Sequence, residues 1–328
     1  MAVLDILLWW VGDRYWNCSI YWLYGPAGAG KSAIVQTVVE HCARDAKLAA
    51  SFFFLRDKLG RSTGKNLFPT IVYQLTITIP GTKKPIGMAV HGDPSILHKS
   101  IDVQLEKLIV EPCRKMASQS TLVIIDGLDE YEGNDMQHRI LSLIGRTLAS
   151  YQLPLCFIIA SRPEPHIRDA FDHPIFQHIT GHLSLDDSFL PDRDIHIFLQ
   201  SKFADICEKN RDIMASVPQP WPSNSIINLL VQKSSGQFIY ASTVLKFIDD
   251  EYSHPTDQLK IVLGLTGFHL TAFVDLDRLY HQILSVNPNT SYLLHILGVV
   301  LTVRFGLPSR DIKSLLALES GDVSLTMR

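Results

Sequence analysis

The chain has 328 residues, room for two or three domains with a large core, and an ordinary globular composition of 46% hydrophobic and 19% charged residues. A formal net charge of -3 supplies no basic field, so no nucleic-acid partner is expected. Five scattered cysteines with no CxxC pair argue against a disulfide framework or a zinc site and fit a reducing cytoplasm, and no apolar run reaches the roughly 18 residues of a membrane span.

Ser19 to Tyr24, aromatic and β-branched, reads as the first strand. Four tryptophans cluster around it (Trp9, Trp10, Trp16 and Trp22), and packing rather than base stacking is the expected use of them. The strand runs into "GPAGAGKS", Gly25 to Ser32, and then into Ile34, Val38 and Cys42 at helical spacing. This order has a chemical purpose. Glycines let the backbone turn so that successive N–H groups face a polyphosphate, and the loop opens a helix whose N-terminus favours anions. Gly25, Pro26, Ala27, Gly28, Ala29, Gly30, Lys31 and Ser32 are therefore the expected nucleotide contacts. Lys31 would reach the β- and γ-phosphates, and Ser32 would offer its hydroxyl to Mg²⁺.

Ala49 to Leu55 reads as the next strand, followed by a polar loop in which Gly60 to Gly64 satisfies GxSxG. A nucleophile elbow must stand directly between a strand and a helix, so Ser62 is read as a loop residue; Arg61 is a solvated loop arginine or a phosphate contact. Thr121 to Ile125, a continuous apolar run, delivers Asp126 to a strand end, where it could hold the metal; its bland alternative is a turn cap. Asp129 and Glu130 follow, placed to orient or deprotonate water. Ile140, Leu141 and Ile144 mark a helix, and Pro154 to Ala160 a further strand ending in Ser161 and Arg162. Arg162 would sense γ-phosphate charge or, failing that, pair with a surface carboxylate. Phe176 to Thr180 reads as a fifth strand, and His178 and His182 as structural histidines.

Beyond His182 the pattern turns helical, with Ile195, Leu199, Phe203 and Ile206 on one stripe, a proline-rich loop at Ser216 to Ser223, and helices in "IINLLVQK" and "FIYASTVLKFI". Tyr292 to Val303 reads as a buried helix of a last unit. The expected architecture is α/β: a P-loop NTPase parallel sheet sandwiched by helices over residues 1–185, a helical subdomain over 186–275, and a last unit over 276–328.

The loop "GPAGAGKS", the acidic "IIDGLDE" and "IIASRPEPHIRDAF" together resemble the NACHT class of signal-transduction P-loop NTPases, a STAND group, and look most like its fungal NOD-like-receptor type. "SFFFLRD", "RSTGKNLFPTIVYQL" and "SSGQFIYASTVLKFI" are similar to further stretches of that group. The resemblance implies an ATP/ADP switch with slow Mg²⁺-dependent hydrolysis and a homo-oligomer in the ATP state; it makes 186–275 a lid-like subdomain and 276–328 a partial winged-helix-like unit, and effector or sensor domains on other chains are candidate partners. Carried over, Asp126 is the Walker B aspartate, Asp129 and Glu130 the trailing acidic pair, Arg162 the sensor, and Gly236 and Phe238 lie where related switches place a loop near adenine. The last of these reads "GQF" rather than Gly-x-Pro. GTP remains the alternative base, although no NKxD-like motif occurs. The competing function is a non-hydrolysing nucleotide-binding scaffold or regulatory fragment of a larger receptor.

Overall fold

The computed structural model describes residues 2–12, 18–55, 66–114, 121–131, 133–185, 191–264, 277, 280, 281, 284, 290–302, 307 and 309–318. The chain divides into two compact units, Met1–Phe189 and Leu190–Arg328. The GxSxG stretch, Arg61 and Trp16 lie outside the described residues.

The first unit is built on five parallel strands, β1 (Ile20–Tyr24), β2 (Leu48–Phe53), β3 (Thr121–Asp126), β4 (Leu155–Ser161) and β5 (Thr180–Ser184), in the order β2-β3-β4-β1-β5. β3 and β4 are continuous apolar runs because helices cover both faces. Strand alternation divides their side chains between two cores. Leu122, Ile124, Cys156 and Ile158 meet Val3, Leu7 and Trp10 of α1 (Ala2–Gly12) and Val35, Val38 and Cys42 of α2 (Lys31–Arg44). Val123, Ile125, Phe157 and Ile159 belong to the other core, with α3 (Leu67–Thr78), α4 (Pro80–Gly92), α7 (Asn134–Ser150) and α8 (Pro165–Asp172). Between α4 and β3, α5 (Ile101–Leu105) passes through a π-turn, Glu106–Val110, into the short α6 (Glu111–Cys113). The outer edge of β2 is closed by a side chain: Gln74 Nε2 donates to Ser51 O at 2.8 Å and its Oε1 accepts the Ser51 N–H at 2.9 Å.

Three sequence expectations shift. The fifth strand is Thr180–Ser184 rather than Phe176 to Thr180, because Pro174–Phe176 forms a 3-10 turn whose Phe176 ring is buried beside Phe171, 5.2 Å between centroids. Trp10 and Trp22 pack in the cores, but Trp9 is 69% exposed. The helix expected to be buried at Tyr292 to Val303 is found at Thr290–Thr302 and is only part-buried, with Leu293 and Ile296 inside and Leu294 and Leu301 exposed.

The second unit carries its own core, Ile195, Leu199 and Phe203 of α9 (Pro191–Lys209) against Leu230 of α10 (Asn224–Ser234), Val244 of α11 (Phe238–Ile248) and Leu259 of α12 (Pro255–Gly264). A separate small cluster joins Ile296 of α13 (Thr290–Thr302) to Ile312 of α14 (Ser309–Leu315). All five cysteines are free thiols.

Gly145, inside α7, has a packing reason: a Cβ there would stand 2.5 Å from Cζ of the buried Phe176 ring. Gly145→Ala should lower stability by about 1–3 kcal/mol despite the better helix propensity of alanine. Urea denaturation would read this, and Phe176→Leu in the same chain should recover part of the loss. A more stable Gly145→Ala protein would contradict the packing.

Candidate nucleotide site

Parallel register brings the sequence motifs to one rim. Tyr24, the last residue of β1, pairs with Ser161, the last of β4, and Asp126 at the end of β3 pairs with Ala160. The glycine loop, the acidic turn and Arg162 therefore leave the sheet side by side, at the carboxyl ends where open α/β sheets bind ligands.

The loop needs its glycines for two different reasons. A Cβ on the buried Gly25 would stand 2.9 Å from Cβ of Leu185, whose N–H donates to Tyr24 O at 2.7 Å. Gly28 and Gly30 have φ of 77° and 91°, left-handed values that cost other residues energy. Gly30 is the N-cap of α2, no side chain caps that end, and its first turn holds no acidic residue. The helix thus presents its orphan N–H groups and positive dipole end toward the loop. Lys31 Nζ turns back across the loop and donates to the carbonyls of Gly25 and Pro26, 2.8 Å each. Burial lowers its pKa; the carboxylates of Asp129, Asp126 and Glu130 oppose that, and Arg162 reinforces it. The same five charges were expected at the site from sequence, and they are close enough to act on one another.

Asp126 is 4% exposed, and its Oδ1 has no hydrogen-bond partner. Burial raises its pKa, with a hydrogen bond from the Ser32 side chain and the charge of Lys31 pulling the other way. A buried carboxylate oxygen left without a partner is costly unless a cation comes to it. Two hard oxygen donors, the Asp126 carboxylate and the Ser32 hydroxyl, suit Mg²⁺. Among the described residues no group of three or more His, Cys, Asp or Glu could hold a metal alone. The residues fit an ion that takes few protein ligands and completes its shell with phosphate and water, as Mg²⁺ does.

Gly127 starts the acidic turn at φ 71°, its N–H donating to Ala160 O at 2.9 Å; a Cβ there would come within 3.2 Å of Phe54 O. Leu128–Glu130 then makes one 3-10 turn. Asp129, only 7% exposed, is gripped across the rim by Arg162: the Arg162 N–H donates to Oδ1 at 2.9 Å, and Arg162 Nε lies 3.3 Å from Oδ2. Sequence reasoning assigned the two residues separate tasks and missed the pairing. It also missed Gln137 and His166, joined at 2.6 Å, and the hydrogen bond from Trp22 Nε1 to Ser161 Oγ at 2.9 Å, which ties down the strand end before Arg162. His182 is exposed on β5, its ring edge-on to Trp22 at 5.5 Å. Gly236, at φ 77°, and Gln237 precede α11 in the second unit.

Residues 7–162 match the family model described as nephrocystin 3, N-terminal, a span that takes in the glycine loop, the acidic turn and Arg162. No curated protein matches the chain. Solved structures of similar shape include Drosophila ORC bound to DNA (15% identity, 99% of this chain and 78% of that one, TM-score 0.48). The ORC1 protein of Aeropyrum pernix in complex with DNA is similar over 99% of this chain and 80% of its own, at 11% identity and a TM-score of 0.43. Cdc6p from Pyrobaculum aerophilum is similar over 99% and 83%, at 12% identity and a TM-score of 0.46. The parallel sheet, the loop and the family match define a nucleotide-binding P-loop domain of the NTPase type.

The expectation of no nucleic-acid partner is corrected here, since two of these similar structures are described as DNA complexes. The net charge of -3 on which it rested is a sum over the whole chain and describes no particular face. No helix among the described residues is long and apolar enough to cross a membrane.

The raised pKa of Asp126 has a sign that can be checked. Between the ordinary value of 3.8 and its raised value the folded state holds more protons than the unfolded, so stability falls as pH rises through that window. In nucleotide-free protein, Asp126→Asn should therefore raise the melting temperature at neutral pH and lose that advantage at acid pH. An unchanged or lower melting temperature at neutral pH would contradict the burial cost.

Proposed function

We propose that the chain is an ATP/ADP-binding switch of NACHT type, with slow Mg²⁺-dependent hydrolysis and nucleotide-controlled self-assembly. The observation that carries this reading is the meeting of Lys31, Ser32, Asp126 and the Asp129–Arg162 pair on one sheet rim, with an unpartnered carboxylate oxygen among them. In this reading residues 25–32 wrap the phosphates with backbone N–H groups, and Lys31 exchanges its loop carbonyls for phosphate oxygens. Ser32 and Asp126 hold Mg²⁺, which would neutralise charge on the β- and γ-phosphates. Arg162 lies close to where the terminal phosphate would end, and Asp129 orients it. Glu130, half-buried on the same turn, positions or deprotonates the attacking water. The family match ending at residue 162 supports this assignment, and so does the resemblance of the three motifs to the fungal NOD-like-receptor type. Residues 1–185 would form the nucleotide-binding domain, 186–275 a lid-like subdomain and 276–328 a winged-helix-like unit, working in the cytoplasm.

A second reading, a scaffold that holds nucleotide without turnover, is favoured by one specific observation. Asp129 is engaged by both the backbone and the guanidinium of Arg162, which leaves it less open to water. The two readings separate in one experiment. Nucleotide released from the purified protein by denaturation is identified by chromatography, and phosphate production from ATP and GTP is then followed. Turnover should fall on the order of 100-fold in Lys31→Ala and in Glu130→Gln, with bound ADP kept only in the latter. Bound ADP without turnover in the wild type would select the scaffold, and absence of any nucleotide binding with Mg²⁺ would defeat both.

A further inference from the structure

One buried polar side chain beside the site has no part in the chemistry above. Gln137, in the first turns of α7, is 3% exposed. Its Nε2 donates to Tyr131 O at 2.7 Å and to Asp129 O at 3.3 Å. Carbonyl oxygens only accept, so the amide has one orientation and Oε1 points away from the turn as an acceptor. His166 Nε2 lies 2.6 Å from that Oε1. The amide oxygen also only accepts, which requires the His166 ring to carry a proton on Nε2. Polarity therefore runs one way from His166 through Gln137 to the carbonyls of the acidic turn.

The two segments joined by this bridge are the two already joined by the Arg162 N–H to Asp129 Oδ1 bond of 2.9 Å. His166 is the second residue of α8, and Arg168 Nε donates to Pro163 O at 2.8 Å, so Arg162 to His166 is a short, braced stretch. The acidic turn is a single 3-10 turn whose own backbone bonds, Glu130 N to Gly127 O and Tyr131 N to Leu128 O, are local. Local bonds shape a turn but do not fix where it stands. Besides the Gly127 N–H to Ala160 O bond at its start, two bridges to one neighbouring segment do.

We propose that Gln137 and His166 are positioning residues that fasten the Asp129–Tyr131 turn to the Arg162–His166 segment, so that Asp129 and Arg162 meet the terminal phosphate as one rigid unit. The phosphate in that sentence rests on the reading of the preceding subsection; the fastening does not. Small displacements of groups around a reacting phosphate have large effects, which gives so remote a pair its importance.

The test uses the full chain with His166→Ala, His166→Gln and Gln137→Leu. The first removes one bond, the second keeps an N–H donor, and the third removes the whole bridge. Amide hydrogen exchange on nucleotide-free protein should show residues 127–131 exchanging about 10-fold faster in His166→Ala and Gln137→Leu, residues 25–32 unchanged, and His166→Gln close to wild type. Binding of ADP and of a non-hydrolysable ATP analogue is then compared. The preference between them should shift by about 10-fold in His166→Ala while ADP affinity stays within about twofold. If His166→Ala loosens only residues 162–166, or if both nucleotides weaken together, the proposal is overturned. Should Gln137→Leu fail to fold, the two His166 variants decide the matter. Should the wild type bind neither nucleotide, the reading of the site falls while the exchange result still decides the fastening.

Discussion

Parallel pairing holds the last residues of β1, β3 and β4 at one level, Tyr24 opposite Ser161 and Asp126 opposite Ala160. Those strands are buried on both faces, so a slip of one residue would turn core side chains such as Val123 and Phe157 to the wrong core. The register is therefore fixed by the hydrophobic cores, and the site inherits its geometry from that packing. β4 stands between the strand that feeds the glycine loop and the strand that feeds Asp126. Arg162, leaving β4, is consequently flanked by both.

What the rim holds is an unbalanced set of charges. Asp126, Asp129 and Glu130 face Lys31 and Arg162, and burial opposes the charged forms of Lys31 and Asp126 alike. The protein reduces part of the cost locally. Lys31 rests on two loop carbonyls and Asp129 on Arg162, but one oxygen of Asp126 stays without a partner. A polyphosphate would relieve Lys31 and add negative charge beside Asp126. The two changes are compatible only if a cation enters with it, which is the physical reason for Mg²⁺ dependence in this reading.

Much of this was legible in the chain. The glycine loop is local in sequence and keeps its meaning without tertiary context, and β3 and β4 announce themselves as continuous apolar runs. α1 gave no signal because "AVLDILLWWVG" is apolar on nearly every side and shows no helical stripe. The fifth strand was placed four residues early because a buried phenylalanine on a 3-10 turn looks like a strand residue in a window of sequence. The contacts that order the site were not legible at all. Arg162 and Asp129 are 33 positions apart, and His166 and Gln137 are 29 apart, so only the folded register brings each pair together. Gln137 lies in an amphipathic helix where nothing about its type or spacing marks it out.

A polyphosphate held at this rim is what the charges require, and a crystal structure of the protein with ADP and Mg²⁺ tests that most directly. Lys31 Nζ should leave the carbonyls of Gly25 and Pro26 and stand about 2.7–2.9 Å from a β-phosphate oxygen, with the metal on Ser32 and the Asp126 oxygen that now lacks a partner. A nucleotide bound elsewhere, with Lys31 still resting on its own loop, would contradict it.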